Sequence, residues 1–142
     1  MRSVSDRIRH AISFEVIGVL IVTPMGALAF DLPMQEMGTV SVISAMIATL
    51  WNLVYNYLFD LGMTRVLGTT AKSAAMRVFH AVLFEAGLLC LLLPFIAVYL
   101  GISLWAALAM DISFALFYMV YAFVFNWAYD RVFPLPEWQV EA

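Results

Sequence analysis

Residues 78–100 read VFHAVLFEAGLLCLLLPFIAVYL, from Val78 to Leu100, and Glu85 is their one Asp, Glu, Lys or Arg. The run is continuously apolar rather than alternating, which argues for a helix over a barrel strand. It is long enough to span a bilayer, which takes about 20 helical residues. Three further runs match it: Ile12 to about Phe30, Val40 to Phe59, and Leu104 to about Phe125. Only helices or closed barrels satisfy their backbone groups in lipid. The chain as a whole is 65% hydrophobic and 12% charged, far from the 45–50% and about 25% of soluble domains. A water-soluble fold is excluded, and so is disorder. The expectation is an all-α membrane protein of four transmembrane helices.

The connections between these spans divide the chain. Asp31-Leu32-Pro33 follows the first span, and Gly101 with Ser103 leaves only a tight turn between the third and fourth. Gly62 to Ser73 reads as a polar Gly/Thr-rich linker. The organisation is therefore a first transmembrane hairpin over 1–63, a cytoplasmic linker over 64–76, and a second hairpin with a short C-terminal tail over 77–142. The first span is not expected to be a cleaved signal peptide, because Glu15 interrupts it and no convincing cleavage site follows. All seven basic residues (Arg2, Arg7, Arg9, Arg65, Lys72, Arg77, Arg131) flank the spans on one side, and the other two loops carry none. By the positive-inside rule both termini face the cytoplasm. Trp105 and Trp127 lie near opposite ends of the fourth span, where aromatic rings favour the interfaces.

The two hairpins are copies. Arg7-x-x-His10-Ala11-x-x-Phe14-Glu15 recurs as Arg77-x-x-His80-Ala81-x-x-Phe84-Glu85, an offset of 70. Asn52-x-x-Tyr55-Asn56-x-x-Phe59 recurs as Asn126-x-x-Tyr129-Asp130-x-x-Phe133, an offset of 74. Each copy has two spans, so both insert in the same orientation and form parallel repeats. Asn52, Tyr55, Asn56 and Phe59 fall on one helical face. Amides and a phenol on that face avoid lipid, either as packing groups between hairpins or as lining of a substrate path.

Glu15, Glu85 and Asp111 lie within the spans, with no Lys or Arg at their depth. An ionised carboxylate there costs several kcal/mol, about 2.5–3.5 at a helix centre. Either a proton or a cation removes that cost, so such a group can exchange one for the other. Phe14, Trp51 and Tyr55 offer aromatic faces near Glu15 that attract a cation. The alternative for Glu15 and Glu85 is pairing with the Arg or His of their own motifs. Asp111 differs, because the repeat places Met37 at its counterpart; a role in proton release or substrate exit is expected. His10 and His80 read as capping or proton-access groups, with Arg7, Arg77 and Asp130 beside them. Cys90 stands alone, so no disulfide or multi-cysteine site forms within the chain. No metal site, cofactor, nucleophile set or nucleic-acid surface is indicated.

These four motifs, in order over residues 7–133, resemble the proteobacterial antimicrobial compound efflux (PACE) family of small inner-membrane proteins. Its members are built from two bacterial transmembrane pair domains. One departure is Phe125, which stands where the first copy has Trp51. The resemblance implies proton-coupled export of cationic amphiphilic biocides such as chlorhexidine and acridine dyes, with short diamines as a further substrate class. It implies that Glu15 is the coupling acid; Glu85 and Asp111 are expected to tune or relay, and with no nucleophile–base set an enzyme is not expected. Phe14, Trp51, Asn52, Tyr55, Asn56, Phe84, Asn126 and Tyr129 are expected to line the path. The competing reading is a non-transporting accessory or assembly subunit whose polar motifs only hold helices together. The charge bias favours a parallel homodimer or a functional monomer over an antiparallel dimer.

Overall fold

A computed structural model describes residues 2–135. They form four helices: α1 (Val4–Phe30), α2 (Met34–Leu67), α3 (Ala74–Leu100) and α4 (Leu104–Val132). All four are long and apolar enough to cross a membrane, and no strand occurs among the described residues. This is a multi-pass membrane protein. Residues 136–142, the end of the expected C-terminal tail, lie outside the described residues.

The duplication extends into the backbone. Ser3 caps α1 by accepting from the Asp6 N–H, and Ser73 caps α3 by accepting from the Met76 N–H. These caps satisfy amide groups that the first helical turn leaves without partners. At the other ends, Asp31 (φ 52°) and Gly101 (φ 63°) take the left-handed conformation and donate to Ala27 and Ala97 carbonyls. The next residues, Leu32 and Ile102, donate to the same two carbonyls. Glycine adopts this geometry freely, and aspartate tolerates it better than most side chains. Pro33 then precedes α2, where its fixed φ suits a helix start. Pro24 and Pro94, also 70 residues apart, sit inside α1 and α3. Each removes one intrahelical hydrogen bond, leaving the carbonyls of Leu20 and Cys90 without their usual N–H donor.

The connection between α2 and α3 is shorter than its composition suggests. The helix runs through Gly62 and stops at Gly68 (φ 69°), whose N–H donates to the Thr64 carbonyl. Only residues 68–73 are non-helical, so the expected boundaries at 63/64 and 76/77 fall inside α2 and α3. A Cβ at Gly62 would meet nothing within 4 Å, so this glycine marks no turn. At about 1.5 Å per residue, the 34 residues of α2 span roughly 50 Å. That exceeds the ~30 Å hydrocarbon core.

Two compact units result, and each takes one helix from each repeat. The first combines the described residues up to Ser41 with those from Ile112 onward, so α1 packs on α4. The second is Val42–Asp111, where α2 packs on α3. Met37 is fully buried in the first unit and fills a notch at Gly26, where a Cβ would come within 2.6 Å of its Cε. Val22, Val40 and Phe114 complete that core; Leu92, Ile96 and Met110 form the core of the second unit. Outward positions are apolar in both copies, as with the counterparts Leu28 (85% exposed) and Val98 (81%). In lipid such side chains incur no hydrophobic penalty, so close packing and polar contacts hold the helices.

Candidate functional site

In the α1/α4 unit the motif residues meet across the repeat boundary. The Phe14 carbonyl accepts a hydrogen bond from the Tyr121 hydroxyl at 2.8 Å. Gly18, one turn further along α1, makes room for this ring: a Cβ there would lie 3.1 Å from Tyr121 and 3.2 Å from Tyr118. Glu15, next to Phe14 and half-buried, interacts electrostatically with the phenols of Tyr118 and Tyr121. Phe14 packs on Tyr121 at 4.9 Å and edge-on to Phe125 at 5.3 Å between centroids. Phe125 in turn stacks on Tyr129. The aromatic wall therefore forms without a tryptophan at 125. His10 Nε2 lies 2.7 Å from the Asn126 amide oxygen.

A charged cluster ties the N-terminal end of α1 to the C-terminal end of α4. Asp6 pairs with Arg2 and Arg9, both at 2.5 Å, and accepts from the Tyr129 hydroxyl at 2.8 Å. Arg2 also pairs with Asp130. The Arg9 guanidinium donates to the Tyr129 hydroxyl at 3.0 Å and lies 3.8 Å over the Phe133 ring. Arg7 is exposed and takes no part in these contacts.

The α2/α3 unit repeats the plan with different atoms. The Trp51 indole N–H donates to the Phe84 carbonyl at 3.0 Å, the counterpart of the Phe14 carbonyl. Gly87 seats the indole, since a Cβ there would lie 2.2 Å from Trp51 Cζ2. Tyr55 is buried and donates to the His80 carbonyl at 2.7 Å. His80 Nε2 lies 2.9 Å from the Asn56 amide oxygen, and the Asn56 amide donates to Asn52. His80 thus uses the counterpart of Asp130, whereas His10 uses the counterpart of Asn52. In the α1/α4 unit Arg2 pairs with Asp130. Lys72, the counterpart of Arg2, pairs with Asp60 at 2.8 Å and lies 5.3 Å from the Phe59 centroid. Arg77 is exposed and donates to the Lys72 carbonyl.

The acids differ in setting. Glu85 is exposed on the surface of its unit. Asp111 is 95% buried, and its Oδ2 has no hydrogen-bond partner among the described residues. Several of these participants carried no motif signal: Tyr118, Tyr121, Gly18, Gly87, Arg2 and Asp6. Of them, Arg2 was reachable through its counterpart Lys72 at the same offset of 70. Among the described residues no cluster of His, Cys, Asp and Glu is arranged to hold a metal ion.

The family model described as chlorhexidine efflux transporter matches the chain twice, over residues 2–65 and 72–135. The chain is 36% identical over 132 residues to the short-chain diamines transporter of Vibrio parahaemolyticus, covering 92% of this chain and 91% of the relative. It is 33% identical over 127 residues to that of Acinetobacter baylyi (89% and 88%) and 32% identical over 126 residues to that of Acinetobacter baumannii (89% and 86%). No solved structure matches. Two tandem matches over nearly the whole described chain, with each motif in its helix, place this protein in the chlorhexidine efflux transporter (PACE) family.

Proposed function

We propose that the protein is a proton-coupled exporter of cationic amphiphiles in the bacterial inner membrane, with both termini cytoplasmic and Glu15 as its exchange site. The observation that carries this reading is the setting of Glu15. It is half-buried in a span, with Phe14 beside it and the phenols of Tyr118 and Tyr121 in electrostatic reach. A deprotonated carboxylate among aromatic rings attracts an organic cation through charge and ring quadrupole together. A proton arriving from outside neutralises Glu15 and removes that attraction, which releases the cation. Chlorhexidine and acridine dyes fit this chemistry, and the diamine-transporting relatives support short diamines as a second class.

The motif amides and phenols hold helices in this scheme. The Trp51, Tyr55 and Tyr121 donors are engaged by backbone carbonyls, which leaves ring faces rather than polar atoms to meet a substrate. Asn126 and Tyr129 in the α1/α4 unit, and Phe84, Asn52 and Asn56 in the α2/α3 unit, are the further lining residues of this reading. His10 and His80 serve proton access. Packing and transport roles coexist, so the motif contacts do not favour an accessory subunit. The test is efflux from proteoliposomes with an inward proton gradient, using an acridine dye. Native protein is expected to export it, and Glu15→Gln to fold but lose gradient-driven export. Full export by that variant would remove Glu15 from the mechanism.

A further inference from the structure

The two phenols of α4 that approach Glu15 use their hydroxyls differently. Tyr121 donates to the Phe14 carbonyl at 2.8 Å, so its hydrogen is committed to the backbone of α1. The Tyr118 hydroxyl is also buried, yet it has no hydrogen-bond partner among the described residues. A buried hydroxyl in that condition costs free energy. Native proteins keep few such groups, and a functional role is one reason for keeping them. The same repeat position on α2 is Ser44, whose hydroxyl is likewise buried and without a partner among the described residues. Ser41, three residues earlier, instead donates to the Met37 carbonyl at 2.8 Å. Both copies thus keep a hydroxyl here that the helix backbone does not engage.

In α4 that hydroxyl is carried on a ring that reaches α1, and packing fixes its place. It lies 3.4 Å from the Cβ position of Gly18, and the ring edge lies 3.2 Å from the same point. Phe14 (6.3 Å between centroids), Phe117 (5.1 Å) and Tyr121 (5.9 Å) flank the ring. Gly18 follows Glu15 by three residues on α1, and Cβ positions at that spacing are about 5–6 Å apart. A glutamate side chain is long enough to bring its carboxylate to a group so placed. The electrostatic interaction between Glu15 and Tyr118 agrees with this placement. The other ionisable groups of the unit are engaged or distant. His10 meets Asn126, while Arg2, Asp6, Arg9, Tyr129 and Asp130 are held in their own cluster. Arg7 and Arg131 are exposed, and Asp31 and Glu36 stand at the opposite end of the helices.

We propose that Tyr118 is the positioning residue of Glu15: its hydroxyl donates to the carboxylate once the proton has left, and so sets the pH at which proton and cation exchange. The inference rests on the reading of Glu15 as the exchange site and adds the residue that tunes it. A hydrogen bond to the ionised form of an acid favours that form. In a span, where an ionised carboxylate is costly, such a donor makes the cation-binding state accessible. Tyr121 does not take this part, because moving its hydrogen to Glu15 would strip the Phe14 carbonyl of its partner.

The experiment follows Glu15 protonation by infrared spectroscopy of purified full-length protein, with Glu15→Gln subtracted to isolate its carboxyl band. Tyr118→Phe keeps the ring and removes the hydroxyl. It should raise the midpoint of that band by about one pH unit, the effect of one hydrogen bond to a charged group. At low pH, where Glu15 is neutral, the variant loses only an unpartnered hydroxyl and should melt no lower than native protein. Ser44→Ala, in the other unit, should leave the midpoint in place. An unchanged midpoint in Tyr118→Phe overturns the inference, and lower melting at every pH with it would mark a packing role alone. An equal shift in Ser44→Ala overturns it too. Acridine-dye binding on the same preparations tests the exporter reading separately. Native protein that fails to bind the dye contradicts that reading, whereas dye binding with an unmoved midpoint removes Tyr118 and leaves the exporter standing.

Discussion

An ideal Cβ on Gly87 would sit 2.2 Å from Trp51 Cζ2, so Gly87→Ala must push the indole off the Phe84 carbonyl. Overpacking of this kind costs about 1–3 kcal/mol. The variant is expected to melt at a lower temperature and to shift its tryptophan emission, whereas Gly62→Ala, which meets open space, should melt no lower than native. Trp51→Phe removes the donor but keeps the ring, and losing that one bond should cost about 1 kcal/mol. The counterpart position already carries Phe125, with Tyr121 supplying the donor one turn away. These seats were not legible in the sequence. The motifs mark Trp51 and the acids, but a glycine in an apolar run looks like any other until the ring that enters its notch is known. Glu15 and Asp111 were legible, because a carboxylate within a span stands out on cost alone.

Pro24 and Pro94 interrupt α1 and α3 at equivalent turns. A proline inside a membrane helix persists where neighbouring groups re-satisfy the freed carbonyl, and it provides a point of bending. Replacing Pro94 with alanine restores the N–H for the Cys90 carbonyl. The expected outcome is a higher melting temperature together with slower export, read by thermal unfolding and by proteoliposome transport on the same preparation. A variant that gained stability and kept full speed would show that bending at this turn is not used. Helix existence was evident from the apolar runs, because the bilayer sets their length. Helix ends were less so. The end of α2 extends past its apolar run to Leu67, since a helix projecting from the membrane needs no further hydrophobicity, and only the left-handed Gly68 stops it.

Across the whole molecule, the repeat predicts which residues correspond but not which helices touch. His10 and Asn52 belong to one copy of the repeat and His80 and Asn126 to the other. The structure instead brings His10 to Asn126 and Asn56 to His80, because each unit combines a helix from either copy. No local pattern encodes that choice; it depends on how the hairpins dock. The proposed topology is open to direct labelling. In a Cys90→Ser background, cysteines at Ser5 and Thr70 should react with an impermeant maleimide from the cytoplasmic side, and cysteines at Gln35 and Ser103 from the opposite side. The same site reacting from both sides would indicate dual insertion and contradict a parallel arrangement. The central claim is that a carboxylate exchanges a proton for an organic cation. Its most direct test is chlorhexidine binding to purified native protein and Glu15→Gln between about pH 6 and pH 8. Tighter binding to native protein at the higher pH, with that dependence abolished in the variant, is the predicted result. Equal binding at every pH in both proteins would contradict it.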